Sequence, residues 1–171
     1  MSDVVYIETL KVCHRHANRL RWAMTEIQKH VPFSGESLEG LGDVEIAILD
    51  QFSTRFSKLQ DIMGMKLFPI VLELTKEQGD LDAFIDKLNR LEKINAIDSA
   101  ADWLVLREMR NAFSHEYPDD PEIQAAILNK AFTLADTLIE MLHHIEAFSS
   151  RFVLSDLGSH SCNKDYTWVF I

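Results

Sequence analysis

Apolar side chains recur at alternating intervals of four and three along most of this chain, the spacing of one face of an α-helix. Tyr6, Leu10, Cys13, Ala17, Leu20, Met24, Ile27 and Val31 trace one continuous seam, which predicts a long first helix stopped by Pro32. The stretch Ser34 to Gly42, with glycines at 35, 40 and 42, breaks the period and reads as a connector. It has neither the sequence nor the preceding strand of a phosphate-cradling loop. Asp43 is placed to cap a second long helix whose seam includes Leu49, Phe52, Phe56, Leu59 and Met63. Gly64 and Pro69 then intervene. Proline lacks a backbone donor and crowds the preceding turn, so a bend or break is predicted over Met65 to Pro69, with helix resuming through Leu74 to about Gln78 and ending at Gly79.

A shorter helix follows, with Leu81, Phe84, Ile85, Leu88 and Leu91 on one side. Beyond the loop Asn95 to Asp98, Ser99 and Asp102 stand at capping-box spacing, with aspartate in place of the usual glutamate, so the next helix starts near Ala100. Pro118 prevents its continuation past Tyr117. Asp120-Pro121-Glu122 offers a capping residue, a first-turn proline and an early acid to start the last helix, buried through Ile123, Ile127, Leu134, Leu138, Met141, Ile145 and Phe148. Four or five helices with short connections and no convincing strand predict an all-α fold, an antiparallel bundle spanning residues 1–150. Residues 151–171 form a tail that the pattern does not assign: Phe152 to Leu154 and Trp168 to Ile171 are apolar, but Ser159 to Asp165 separates them.

Composition changes this picture little and charge changes it more. With 171 residues, 47% apolar and 26% charged, the chain suits one globular domain with a substantial core. It contains no run near the roughly 20 apolar residues that span a bilayer, and its N-terminus lacks a basic region followed by an apolar block, so a cytoplasmic protein is expected. Cys13 and Cys162 lie far apart with no CxxC pattern, which predicts two reduced thiols, no disulfide framework and no zinc site. A formal charge of −10 argues against sequence-blind nucleic-acid binding, because that draws its free energy from many cations. Any RNA site must therefore be local. Residues 1–30 carry Lys11, Arg15, Arg19, Arg21 and Lys29 against Asp3, Glu8 and Glu26, which leaves +2 there and −12 elsewhere.

The candidate chemistry is concentrated in Arg110-Asn111-Ala112-Phe113-Ser114-His115-Glu116-Tyr117, near the end of the helix that begins at Ala100. Arginine supplies a permanent charge for anionic oxygens, and histidine moves a proton near neutral pH. Together they suggest RNA chemistry. At about 100° per residue, Trp103, Leu106, Met109, Ala112, Phe113 and Tyr117 occupy one broad arc, and Arg110 falls inside it. A guanidinium there needs a carboxylate partner, a partner subunit or a wet cleft. Asn111 and His115 share the neighbouring, more polar side. A regular helix would separate Arg110 from His115 by about 140°, so both reach one phosphate only if the helix deforms near its end or a second chain contributes.

The pattern R-N-x3-H-x-Y ending a helix, followed by Pro118-Asp119-Asp120-Pro121, resembles the HEPN superfamily and within it the HepT-like toxins. Phe52 to Asp61 and Leu88 to Lys93 look like the helices that precede the motif in that family, so the resemblance covers roughly residues 43–135. It implies a HEPN-like bundle and a metal-independent endoribonuclease toxin acting as a homodimer, its two motifs facing each other across the dimer cleft. It further implies an MNT-type nucleotidyltransferase antitoxin as partner, RNA as substrate, and no membrane. Arg110 and His115 match the catalytic pair, Asn111 the polar residue after the arginine, and Tyr117 the tyrosine that the antitoxin modifies with AMP.

The residue types themselves support RNA cleavage. RNA carries its own nucleophile, the 2′-hydroxyl. Cleavage needs a base for that hydroxyl, an acid for the departing 5′-oxygen and positive charge on the transition state. His115 can perform either proton transfer, Arg110 can stabilise the developing charge through paired donors, and Asn111 can orient a phosphate or the imidazole. Neither a metal nor another cofactor is expected.

Plainer roles compete at each position. Arg110 also fits a structural arginine paired with Asp61 or Glu108, His115 a helix C-terminal cap, and Tyr117 a half-buried packing residue. The whole chain also fits a non-catalytic binding subunit of a nucleotidyltransferase, or an unrelated helical scaffold. Lys11, Arg15 and Arg19 read as a solvated face, although their spacing also makes an electropositive strip. Cys13, His14 and His16 diverge around a helix, as do His143 and His144, and neither group is placed to hold a metal.

Overall fold

The computed structural model describes residues 2–77, 83–114 and 119–153, and every regular element among them is helical. The order is α1 (Ser2–Ile27), α2 (Gly35–Glu39), α3 (Asp43–Ile62), α4 (Phe68–Leu74), α5 (Phe84–Lys93), α6 (Ala100–Ala112) and α7 (Pro121–Ser149). A 3₁₀ turn, Gln28–His30, extends α1 toward Pro32, and a π-turn, Met63–Leu67, joins α3 to α4.

Contacts along the helices give their relative directions. Lys29 meets Glu45 while His16 meets Arg55, and Val4 and Val5 lie beside Ile62 and Met65, so α1 and α3 run antiparallel. Tyr6 bonds Ser149 while His14 bonds Glu146, so α7 returns antiparallel along α1. On the other side of α3, Phe56 meets Phe113, Asp61 meets Arg110 and Gly64 abuts Trp103, which makes α6 antiparallel to α3. The expected all-α antiparallel arrangement is present, with seven α-helices among the described residues rather than four or five. Its core is one cluster: Leu20 and Ile27 of α1, Phe52, Phe56 and Leu59 of α3, Trp103 and Leu106 of α6, and Leu138 and Ile145 of α7.

Several elements differ from the sequence expectation. The segment from Ser34 to Gly42 holds a short helix rather than a plain connector. Ser34 and Ser37 form a reciprocal capping box, and Gly35 donates its N–H to Glu122 Oε1 at 2.9 Å. Asn129 holds the preceding Phe33 through both backbone groups, at 2.7 and 2.9 Å. Five residues are too few to show a period, and the ties that hold them come from α7, about ninety positions away. At the start of α3 the cap is Gly42, with no side-chain bond, and Asp43 instead occupies the first turn, where its charge suits the helix dipole.

Pro69 neither breaks nor ends its helix. The π-turn before it shifts the hydrogen-bond register by one residue, with Phe68 N–H donating to Met63 O, and this accommodates a ring that would clash in a regular turn. The turn also brings Gly64 close to α6: a Cβ at Gly64 would lie 3.0 Å from Trp103 Cζ2 and 3.7 Å from Phe84 Cζ. Trp103 is fully buried and has nowhere to retreat. Gly64→Ala is therefore expected to destabilise the fold by about 1–3 kcal/mol, read as a lower denaturant midpoint with unchanged slope.

α4 ends at Leu74, short of the expected Gln78. Lys76 takes a left-handed conformation (φ 53°), with Lys76 N–H on Glu73 O and Glu77 N–H on Leu72 O, a Schellman termination made without glycine. Gly79 and Leu81 lie outside the described residues. α5 ends in the same way at Asn95. Ile85, expected inside, is exposed, while Leu88 and Leu91 are buried as expected.

Both predicted caps flank the candidate site. Ser99 accepts from Asp102 N–H, and Asp120 accepts from the N–H groups of Glu122 and Ile123 ahead of Pro121. α7 buries Leu138, Met141 and Ile145 as expected, together with Phe132, Ala135, Ile139 and Leu142, while Ile123 is 44% exposed. Over 29 residues this helix faces α2, α6, α3 and α1, so its buried surface is wider than one seam. At its end Phe152 is exposed beside Phe148, with Arg151 over both rings. Most of the predicted tail, residues 154–171, lies outside the described residues.

Candidate functional site

α6 carries the candidate site at its C-terminal end. Trp103, Leu106 and Met109 face the core, and Phe113, the C-cap, fills an aromatic corner with Phe52 and Phe56 of α3 at ring-centroid distances of 6.2 and 5.5 Å. This corner holds the C-terminal end of α6 against α3. α6 stops at Ala112, five residues short of Tyr117; Phe113 N–H still reaches Met109 O, but Ser114 N–H takes the tighter bond to Asn111 O. Ser114 Oγ also turns back toward Arg110 O, a competing side-chain bond of the kind that ends helices. The helix therefore ends at Ala112, ahead of Pro118 in the sequence. His115 and Tyr117 lie outside the described residues.

Arg110 is fixed in place. Its Nε donates to Asp61 Oδ1 at 2.8 Å and its Nη2 to Asp61 Oδ2 at 2.9 Å, a planar two-bond fork across the α3–α6 contact. Nη1 donates to Ser114 Oγ at 3.1 Å. The side chains of Arg110 and Asp61 retain 32% and 38% of their exposure, so the fork sits at the rim of the bundle rather than in its core. The Asp61 carboxylate, accepting these bonds, holds the guanidinium above the ordinary arginine range, which keeps its charge permanent. A guanidinium has five N–H donors. The bonds just described use three, and among the described residues no partner is found for the other two. Asn111 beside it is exposed. Of the two carboxylates considered for Arg110, the structure selects Asp61. Ser114 is a further partner, at an i+4 spacing from Arg110 that is visible in the sequence.

A second polar constellation lies one turn away along α3. Lys58 precedes Asp61 by three residues, and Arg55 precedes Lys58 by three more. Arg55 Nη1 bonds His16 Nδ1 on α1 at 3.1 Å, and Arg55 Nε is buried without a hydrogen-bond partner among the described residues. Burial, Arg55, Lys58 and Arg15, in that order, lower the His16 pKa to about 4, so His16 is neutral at pH 7 and accepts the bond from Arg55. Arg55 is itself lowered by burial and by Arg19 and Arg15. The row on α1 is thus backed by two cations of α3. That pairing depends on interhelical register, which no local spacing reveals.

His16 gives the fold a pH dependence of definite sign. Its folded pKa lies below the unfolded value near 6.5, so its neutral form favours the fold above that pH, and the advantage is lost as pH falls from about 6.5 toward about 4. His16→Gln keeps an acceptor for Arg55 but cannot titrate. The drop in urea midpoint between pH 7 and pH 4.5 should be smaller in this variant than in the unmodified protein. His14 acts in the opposite direction: its bond to Glu146 raises its pKa, which favours the fold at low pH and fades as pH rises through the folded value.

The remaining titratable groups serve the fold. Cys13 is a buried free thiol, pushed up to about 12 by desolvation. His14 stacks near His143, and His144 bonds Asn95 O and Asp98. Among the described residues no three His, Cys, Asp or Glu side chains are grouped as metal ligands would be, and no helix is long and apolar enough to cross a membrane. Compared with models of known families, with curated proteins and with solved structures, the chain gives no match.

Proposed function

We propose that this chain is a HEPN-like, metal-independent endoribonuclease of the HepT-like toxin type, cutting RNA at a site shared between two copies of itself. The observation that carries this reading is the setting of Arg110: a charged, half-exposed guanidinium oriented by the Asp61 fork, one residue before Asn111 and five before His115 in the pattern R-N-x3-H-x-Y. The two N–H donors without a partner among the described residues suit the non-bridging oxygens of a phosphodiester, and a preset orientation lowers the reorganisation needed as charge develops there. α6 ends at Ala112, three residues before His115 in the sequence. His115 would then move the proton of the 2′-hydroxyl or of the leaving 5′-oxygen, with the dimer mate's copy free to take the other step. Asn111 is assigned to orienting the phosphate. Asp61 acts through Arg110 and is a positioning residue.

The two-bond fork also favours a second reading, in which Arg110 is structural and the chain is the non-catalytic binding subunit of a nucleotidyltransferase that modifies Tyr117. One experiment separates the two. The purified protein is sized by analytical ultracentrifugation and incubated with RNA in excess EDTA, alone and with its candidate MNT-type partner. A dimer that cleaves RNA without metal and is silenced by the partner supports the toxin. A dimer that binds the partner but never cleaves supports the binding subunit.

A further inference from the structure

We propose that α1 and α3 carry a strip for single-stranded RNA, in which Arg15, Arg19, Arg55 and Lys58 hold the phosphate backbone and Trp22 stacks a base, leading the strand toward Arg110. The inference rests on the ribonuclease reading and adds to it the path of the substrate outside the cleavage site.

Placement is the first ground. Arg15, Arg19 and Trp22 follow one another at intervals of four and three, so they share one face of α1. Trp22 is 45% exposed, whereas Trp103, the other tryptophan among the described residues, is fully buried. Behind this row the Arg55–His16 bond ties α3 to α1, and Lys58 is exposed on the next turn of α3. Lys58 and Asp61 are neighbours three residues apart, with Cβ atoms about 5–6 Å from each other in a helix. The strip therefore ends one helical turn from the Asp61–Arg110 fork.

Charge is the second ground. The chain carries −10 overall, yet the groups acting electrostatically on Arg55 are Arg19 and Arg15, and those acting on His16 are Arg55, Lys58 and Arg15. Cations concentrated in this way cost the folded protein self-repulsion and suit a polyanion that relieves it. Among the described residues Arg15 and Lys58 make no ion pair, whereas Lys11, one turn before Arg15, is paired with Glu8 at 2.7 Å. The exposed indole beside these cations narrows the ligand. A flat aromatic face next to a phosphate-binding row is the arrangement that grips unpaired bases, and duplexes do not offer those.

The test uses the full-length protein and a fluorescently labelled 2′-O-methyl oligouridine, which carries the phosphates and bases but no nucleophile. Binding is followed by anisotropy across a salt series. Trp22→Ala should weaken binding about tenfold or more, and Trp22→Phe should restore most of it, because stacking needs the ring and not the indole N–H. The double change Arg15→Ala with Lys58→Ala should reduce the slope of log affinity against log salt by about 1.4, two single-strand phosphate contacts at about 0.7 each. All of these side chains lie on the surface, and unchanged helical content would confirm folding. Cleavage of a dinucleotide, too short to reach the strip, should persist in every strip variant and fall by about 10²–10³-fold in Arg110→Ala. Arg110→Ala should in turn still bind the oligouridine. Unchanged affinity and salt slope in the strip variants would overturn the strip and leave the cleavage site untouched. So would a loss seen only on vesicles of phosphatidylserine and phosphatidylcholine, which would make the surface a membrane contact. Oligouridine binding that depends on the strip, with no dinucleotide cleavage by the unmodified protein, would keep the strip and remove the ribonuclease.

Discussion

Arg110→Ala should lower RNA cleavage by about 10²–10³-fold, the usual loss when one preset donor to a developing oxyanion is removed. His115→Ala should cost about 10²–10⁴-fold, the range for a general acid or base. The two variants should differ in stability. Removing the Arg110 side chain leaves Asp61 at the bundle rim without its two bonds, so a small stability loss is expected there as well. Arg110→Lys keeps the charge but cannot rebuild the planar fork, and should recover little activity. Initial rates of cleavage of a labelled RNA, measured beside denaturant midpoints and sedimentation, separate chemistry from folding. Full activity in Arg110→Ala would return that residue to a purely structural role.

Phe56→Ala should produce the largest loss of stability, about 3–5 kcal/mol, because a fully buried ring is removed from a corner it shares with Phe52 and Phe113. The effect should extend to function. Phe113 caps α6 three residues after Arg110, and its edge-on packing against Phe56 holds the helix end that carries Arg110 and Asn111 against α3. Cleavage should therefore fall more than the folded fraction alone explains. Phe56→Leu, which fills much of the same volume, should restore most of both. Denaturant titration of the three proteins, with cleavage rates taken where each is fully folded, provides the comparison. A Phe56→Ala protein within 1 kcal/mol of the unmodified one would mean that the corner does not anchor α6.

Much of this architecture was legible in the chain because it depends on local chemistry. The α1 seam, the caps at Ser99 and Asp120 and the stop near Pro32 follow from rules that act within a few residues, and each is found in place. What escaped depends on distant partners. α2 is held by Asn129 and Glu122 of α7, which only the folded chain brings near Phe33 and Gly35. Lys76 ends α4 in a conformation that composition alone would have reserved for glycine. The outward turn of Ile123 and Ile85 reflects which neighbours each helix meets, and periodicity cannot distinguish a face against a helix from a face against water.

The candidate site divides in the same way. The residue types of Arg110, Asn111 and His115 announce their chemistry in the sequence, and Asp61 could be named beforehand as one of two carboxylates for Arg110. Its two-bond geometry, the third bond to Ser114 and the helix end at Ala112 became visible only in three dimensions. The backing of Arg15 by Arg55 and Lys58 is likewise a matter of register between helices.

The central claim is that a guanidinium and an imidazole cleave RNA through its own 2′-hydroxyl. The most direct measurement compares two oligonucleotides in EDTA, identical except for one 2′-deoxy sugar at the mapped scissile position. The account predicts cleavage of the all-ribose strand alone, with a 2′,3′-cyclic phosphate or its hydrolysis product on the 5′ fragment. Cleavage of the deoxy-substituted strand at that bond, or 5′-phosphate and 3′-hydroxyl ends, would contradict it.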